Sequence, residues 1–121
     1  MADETEIFWC EFWVRRRRWE VVLVHPDHPG LANRSYLGLT MFDDHKILVS
    51  YNQENRMIRE TWAHEMLHVC GGWEKDPLHR AAHESFISAA EKNLVAVLGR
   101  FGLRAPRIPR RALRARKALR Q

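Results

Sequence analysis

Two histidines at helical spacing are the part of this sequence that most clearly offers chemistry. The stretch His64-Glu65-Met66-Leu67-His68 places its imidazoles four positions apart. On an α-helix this spacing puts both side chains on one face, about 6 Å apart along the axis, which is typical of zinc ligands. Glu65 lies about 100° around the helix from His64. The pattern therefore predicts zinc bound by His64 and His68, with Glu65 beside it as the general base that takes a proton from zinc-activated water.

A third ligand must come from elsewhere in the chain, because a catalytic zinc usually has three protein ligands and one open position. The sequence downstream of the motif offers four candidates: Glu74, His79, His83 and Glu84. Adjacent residues on a helix point about 100° apart, so only one of His83 and Glu84 can face the metal. Spacing alone leaves the choice among the four open.

The motif and the segment after it resemble a known family. The resemblance is carried by His64 to His68, His83-Glu84-Ser85-Phe86-Ile87 and the run Leu94-Val95-Ala96-Val97-Leu98. These residues are similar to the small zincin metallopeptidases of gluzincin type, including short phage- and prophage-encoded proteins, and more distantly to ImmA/IrrE-like and SprT-like peptidases. The resemblance covers about residues 36–100.

This resemblance implies a ligand set and a fold. Gluzincin-type relatives complete the site with a glutamate on the helix after the motif, which implies Glu84 as the third zinc ligand. SprT-like proteins use a third histidine, which keeps His83 and His79 as alternatives. The implied fold is a small sheet in front of two helices, and the implied activity is proteolysis of a protein or peptide substrate that the resemblance does not identify.

The elements that must position these residues can be predicted from local patterns. Apolar residues at helical spacing predict a motif helix from about Gln53 to Cys70, with Asn52 as its cap and Gly71-Gly72 as its stop. A second helix is expected from Pro77 to about Gly99, after an Asp76 cap.

Upstream, β-branched and aromatic residues predict a sheet. Trp19–Val24 is typical of a strand, and Tyr36–Phe42 and Lys46–Tyr51 flank the turn Asp43-Asp44-His45 as a hairpin. Residues 1–18 fit either an aromatic helix face or a further strand. The predicted class is α+β: a small zincin-like fold with a short, antiparallel-containing sheet packed on the motif helix and the helix after it, followed by a basic tail.

Charge divides the chain into two parts. Of the 20 Lys and Arg residues, nine lie in residues 100–121, which contain no acid, so the first 99 residues hold 11 basic and 15 acidic groups and carry a net charge of −4. We expect a zincin-like metallopeptidase domain over residues 1–102 and a basic tail over 103–121. The tail is either disordered or a short helix from Pro109 onwards, and it is either solvated, in contact with nucleic acid, or docked on a partner protein. A second basic run, Arg15–Arg18, is interpreted as a solvated face.

Composition bounds where the protein works. With 121 residues the chain is long enough for one domain. It has no apolar run that could span a bilayer and no signal peptide, so no membrane association is expected. The two cysteines, Cys10 and Cys70, do not make a disulfide framework, and a buried position is expected for Cys70 at the helix end. These features predict a cytoplasmic protein with free thiols, in the host cell if it is phage-encoded.

The sequence therefore predicts a zinc metallopeptidase that binds Zn²⁺ through His64, His68 and Glu84 and uses Glu65 as general base. Candidate donors to the tetrahedral oxyanion are Tyr36, Tyr51, His79 and Arg80. An exposed edge strand in the hairpin would bind an extended peptide. Two alternatives are a non-catalytic zinc-binding assembly or nucleic-acid-associated module, and a regulatory factor that inactivates a repressor.

Overall fold

The computed structural model describes residues 6–32, 36–71, 84–85, 87, 89–90, 93–96 and 106–121. These residues form an α+β fold, as predicted, and their four strands make one mixed sheet. The strands are β1 (Glu6–Val14), β2 (Arg17–Val24), β3 (Gly38–Met41) and β4 (Lys46–Ser50). The helices are α1 (Pro29–Ala32), α2 (Asn55–Gly71) and, at the C-terminus, α3 (Arg110–Leu119). The described residues among 84–96 are also helical, in agreement with the predicted second helix, whose start at Asp76 and Pro77 lies outside the described residues.

The sheet has the strand order β1-β2-β4-β3. The β1–β2 and β3–β4 pairs are antiparallel, whereas β2 and β4 run parallel. The three predicted strands and the β3–β4 hairpin are confirmed. The open question of the N-terminal residues is answered by β1, a nine-residue strand. This order leaves β3 at one edge of the sheet and β1 at the other.

Side chains on the two faces of the sheet enter two separate cores, because neighbouring residues of a strand point to opposite faces. Val21, Leu23, Ile47 and Val49 are fully buried on the face that packs against α2 and α3. Val22, Val24 and Leu48 point the other way and pack around Leu31 of α1. The central strands β2 and β4 are thus covered on both faces, which explains why their sequences are nearly continuous runs of aliphatic residues.

The motif helix α2 begins later than predicted. It starts at Asn55, and Asn52 is not its cap: the backbone N–H of Asn52 donates to Ser50 Oγ at 3.2 Å in the turn that leaves β4. The late start is explained by Gln53, which is 6 % exposed and lies before the helix, where its side chain joins the end of β4 to α2. Its Nε2 donates to the Ser50 carbonyl at 2.9 Å, and its Oε1 accepts from Thr61 Oγ1 at 3.0 Å. The helix ends at Gly71, where a stop was predicted.

The C-terminal basic segment is folded against the rest of the protein. Ile108 and Ala112 are buried in the same core as the α2 face of the sheet, with exposed fractions of 3 % and 1 %. The indole Nε1 of Trp9 donates to the Pro106 carbonyl at 3.1 Å. Pro109 directly precedes α3, so the prediction of a short helix from Pro109 is confirmed. The alternative prediction, a disordered tail, does not hold for residues 106–121.

Two further expectations concern the cysteines and membranes. Cys10 and Cys70 are free thiols, as expected. Cys70, however, is exposed, so the prediction of a buried helix-end cysteine is wrong: it lies on the solvent side of the last turn of α2, beside the buried Val69. Within the described ranges, no helix combines the length and the apolar character needed to cross a bilayer.

Candidate metal centre

Helix α2 brings the two motif histidines together on one face. The ring centroids of His64 and His68 are 5.0 Å apart, and their side chains are 20 % and 17 % exposed. The four-residue spacing is responsible, because it advances the helix by slightly more than one turn. Both imidazoles are thus mostly covered by protein yet open to solvent on one side. That environment suits a metal site that must admit a small molecule.

Glu84, from the helical residues after the motif, contacts both imidazoles. Its Oε1 lies 2.5 Å from His64 Nε2, and its Oε2 lies 3.0 Å from His68 Nε2. The three side chains form a group in which one ligand atom from each lies within 4.8 Å of the others. The side chain of Glu84 is 48 % exposed, so Glu84 lies on the side of this three-residue group that faces solvent.

The donor set matches what zinc prefers. Imidazole nitrogens and a carboxylate oxygen are usual zinc ligands at about 2.0–2.2 Å, which sets neighbouring ligands of a tetrahedral ion about 3.3 Å apart. The measured Nε2–Oε separations of 2.5 Å and 3.0 Å are shorter than this by less than about 1 Å. Small side-chain rotations would therefore open the group to hold an ion. Three protein ligands would leave one position for another molecule.

Glu65 lies on the same helical turn but points into the protein. It is 7 % exposed, and its backbone carbonyl and its Oε1 lie 3.2 Å and 3.4 Å from Thr40 Oγ1 on β3. The Thr40 hydroxyl can donate its single proton to either oxygen. The carboxyl of Glu65 therefore lies between α2 and the edge strand β3.

Close contact between α2 and the edge strand depends on Gly38. A Cβ at this position would lie 2.5 Å from Thr61 Cγ2 and 3.2 Å from Glu65 Cγ, so a larger residue would push the motif helix away from β3. Thr40, two residues further on, shares this face of the strand. Sequence analysis identified neither residue as part of the site. A usable signal was present for Gly38, because a glycine inside a strand pattern often marks a close backbone approach.

The remaining candidates separate into three groups. Glu74, His79, Arg80 and His83 lie outside the described residues. Tyr51 is a core residue that packs edge-on against His25, and burial raises the pKa of its hydroxyl. Tyr36 is 42 % exposed and lies two residues before the start of β3, so of the two tyrosines it is the one nearer to a ligand on that strand.

Comparison with family models, curated proteins and solved structures gives no match for this chain. The functional assignment therefore depends on the chemistry of the site.

Proposed function

We propose that this protein is a zinc-dependent metallopeptidase in which His64, His68 and Glu84 hold the metal. The observation that carries the proposal is the contact of one carboxylate with both imidazoles of the motif helix. This contact supports Glu84 as the third ligand. A bound zinc would polarise a substrate carbonyl and make a water molecule easier to deprotonate.

Glu65 is the residue that would move the proton. Its carboxylate would accept a proton from the attacking water, the water oxygen would bond to the peptide carbonyl carbon, and the same proton would pass to the amide nitrogen as the C–N bond breaks. Burial of Glu65 supports this role, because a carboxylate held by its surroundings meets the substrate in a fixed position. Thr40 supports it by donating a hydrogen bond to Glu65.

The edge strand β3 is the surface that we assign to the substrate. In the described part of the sheet β3 pairs with β4 alone, on one side. A peptide in extended form can pair with the other side through main-chain hydrogen bonds. Such a peptide would pass close to Glu65, because Glu65 contacts Thr40 on β3. Tyr36 and Leu37, which are 42 % and 51 % exposed, offer apolar surface at the start of the strand.

The proposal is tested by metal content and by one substitution with a matched control. Purified protein should contain about one zinc per chain, and it should cleave members of a quenched-fluorescent peptide library. Glu65→Gln should keep the zinc but lower cleavage by about a hundredfold or more. Glu60→Gln is the control, because Glu60 is a buried glutamate of the same helix that does not belong to the metal group. Equal turnover by Glu65→Gln and wild type would reject the proposal.

A non-catalytic zinc module is the second candidate. Glu84 joins the motif helix to the following helical residues, so a zinc ion there would also cross-link two parts of the fold. This reading predicts stoichiometric zinc and a large fall in melting temperature on chelation, without cleavage of any library peptide. The free state of Cys10 and Cys70 supports the cytoplasm as the location in either case.

A further inference from the structure

The C-terminal helix α3 presents two faces of different character. Ile108 and Ala112 are buried, and Leu113 and Ala115 pack against the same core. Another set of side chains points to solvent: Arg110, Arg111, Arg114 and Lys117. We call these four residues the α3 basic face. Because the apolar side of α3 is used inside the protein, the helix holds the basic face in a fixed orientation.

Two other arginines of the segment serve to attach it. Arg116 Nη1 donates to the Gln53 carbonyl at 2.5 Å and to Asn55 Oδ1 at 2.8 Å, and Arg120 Nη1 lies 3.2 Å from Glu54 Oε1. By contrast, no carboxylate in the described ranges pairs with any residue of the α3 basic face. The segment thus contains anchoring cations and cations that remain available to a partner.

We infer that the α3 basic face binds the phosphate backbone of double-stranded DNA without reading its sequence. Arg and Lys neutralise phosphates and release condensed counterions, which is the main source of non-specific affinity. Duplex DNA is favoured over single strands because α3 contains no aromatic residue on which unpaired bases could stack. We assign these cations to phosphates and not to base edges: the face has no Asn or Gln for adenine and no acid for cytosine, and arginine, which can also bond guanine, binds phosphate in any sequence.

An anionic membrane is a poorer fit to the same charges. A helix that binds in the membrane interface inserts its apolar face among the lipids. The apolar side of α3 is already occupied by the core that contains Ile108 and Ala112. Only Leu119, 38 % exposed at the end of the helix, would remain for insertion. Binding to the DNA backbone requires only the positive charges of the α3 basic face, so DNA fits this exposed surface better than a membrane does.

The helix α3 is attached at the opposite end of α2 from the metal group. Arg116 fastens α3 at Asn55, the first residue of α2, whereas His68 is thirteen residues further along that helix. At about 1.5 Å of rise per residue, the two places are roughly 20 Å apart. DNA binding and metal binding are therefore expected to be independent, and the inference does not rest on the proposed peptidase activity.

The inference is tested on the whole 121-residue chain by removing three positive charges from α3 and, in a control variant, three from another surface. The probe is a fluorescent 20-base-pair duplex of arbitrary sequence, with a second, unrelated sequence alongside. The test variant is Arg110→Gln, Arg111→Gln and Arg114→Gln together. The control variant is Arg15→Gln, Arg16→Gln and Arg17→Gln together, which removes the same charge from exposed positions at the β1–β2 turn. Deleting residues 106–121 is unsuitable, because it would also remove Ile108 from the core.

Wild type should bind both duplexes with similar affinity, more weakly as salt rises. The α3 variant should lose affinity by tenfold or more at 0.15 M salt, and the slope of log affinity against log salt should fall by about 0.9 for each charge removed. The control should change by less than about threefold, since the Debye length is then about 8 Å. Arg-to-Lys replacement at the three α3 positions should preserve the salt slope, and melting curves should show all variants folded.

Three results would overturn the inference. The first is equal loss in the α3 and control variants, which would indicate a response to net charge alone. The second is no measurable duplex binding by the wild type at 0.05 M salt. The third is tighter binding to phosphatidylserine vesicles than to duplex at the same salt, which would assign the face to membranes. Glu65→Gln and zinc chelation should leave duplex binding unchanged, so a failed peptidase proposal would not be confused with a failed DNA proposal.

Discussion

Thr40 Oγ1 lies 3.2 Å from the backbone carbonyl oxygen of Glu65 and 3.4 Å from its Oε1, so a hydroxyl on the edge strand can donate to either the carbonyl or the carboxylate of the proposed general base. These contacts join two residues that lie 25 positions apart in the sequence, one on β3 and one on α2. They hold the strand that we assign to the substrate against the helix that carries the proposed base. Thr40 is therefore a positioning residue for Glu65 in the proposed reaction.

Substitution of Thr40 should lower activity without removing the metal. Thr40→Val keeps the shape of the side chain but loses the hydrogen-bond donor, worth about 1–1.5 kcal/mol, so kcat/KM should fall about tenfold. Thr40→Ser, which keeps the hydroxyl, should restore the activity. A rate loss that Thr40→Ser does not rescue would argue for a packing role only.

A side chain at Gly38 should destabilise the protein, and a second substitution should recover part of the lost stability. In Gly38→Ala the new Cβ would meet Thr61 Cγ2 at 2.5 Å, and we expect a loss of about 1–3 kcal/mol in the free energy of unfolding. Thr61→Ser removes that methyl and keeps the hydroxyl that donates to Gln53 Oε1. The double variant should therefore be more stable than the sum of the single losses predicts, as measured by a urea-denaturation cycle. Strict additivity would contradict the proposed contact.

Local patterns were sufficient for most of the fold. Aliphatic runs and turn residues predicted β2, β3 and β4, and helical spacing predicted α2 to within two residues at its start and one at its end. The N-terminal residues were ambiguous because β1 alternates only in part: Phe8 and Trp13 are 51 % and 65 % exposed although both are apolar. An exposed aromatic gives the same sequence signal as a buried one, so periodicity could not separate strand from helix.

The pairing of the two histidines could be predicted from local sequence, whereas the contact of Glu65 with the sheet could not. The grouping of His64 with His68 follows from helix geometry alone. The approach of Thr40 to Glu65 depends on the register of β3 with β4 and on how α2 lies across them, which no local pattern contains. Docking of α3 was likewise hidden, because half of its ten residues are Arg or Lys and three of its five apolar residues are alanines, a composition typical of a solvated tail.

The third ligand can be identified by comparing neighbouring substitutions. Glu84→Ala should weaken zinc affinity by tenfold or more, because the only carboxylate of the metal group in the described residues is lost. His83→Ala should have a smaller effect, at most about tenfold. Ser85→Ala is the matched control, since Ser85 is an exposed helical neighbour of Glu84. Zinc affinity measured by competition with a chromophoric chelator decides the matter: zinc lost from His83→Ala and kept in Glu84→Ala would indicate a three-histidine site.

The two thiols should react at very different rates. Burial raises the pKa of the Cys10 thiol to about 11, because the charged thiolate is disfavoured away from water. At pH 8 only about one molecule in a thousand would carry the Cys10 thiolate, and this fraction should rise tenfold per pH unit up to about pH 10. Cys70 is exposed. A thiol-specific chromogenic reagent should therefore label one site quickly, and Cys70→Ser should abolish that phase. Rapid labelling of two thiols in the native protein would contradict the partial burial of Cys10 and its raised pKa.

The C-terminal segment should contribute to the stability of the whole protein. Ile108 is 3 % exposed within the core that also holds Trp9, so Ile108→Ala should lower the free energy of unfolding by about 2–4 kcal/mol through lost burial and a residual cavity. Arg114→Ala, at an exposed position of the neighbouring helix, is the matched control and should change stability by less than about 0.5 kcal/mol. Both values come from chemical denaturation followed by tryptophan fluorescence. Equal stability of Ile108→Ala and the control would mean that α3 is not packed on the core in solution, and a fixed basic face would then lose its structural basis.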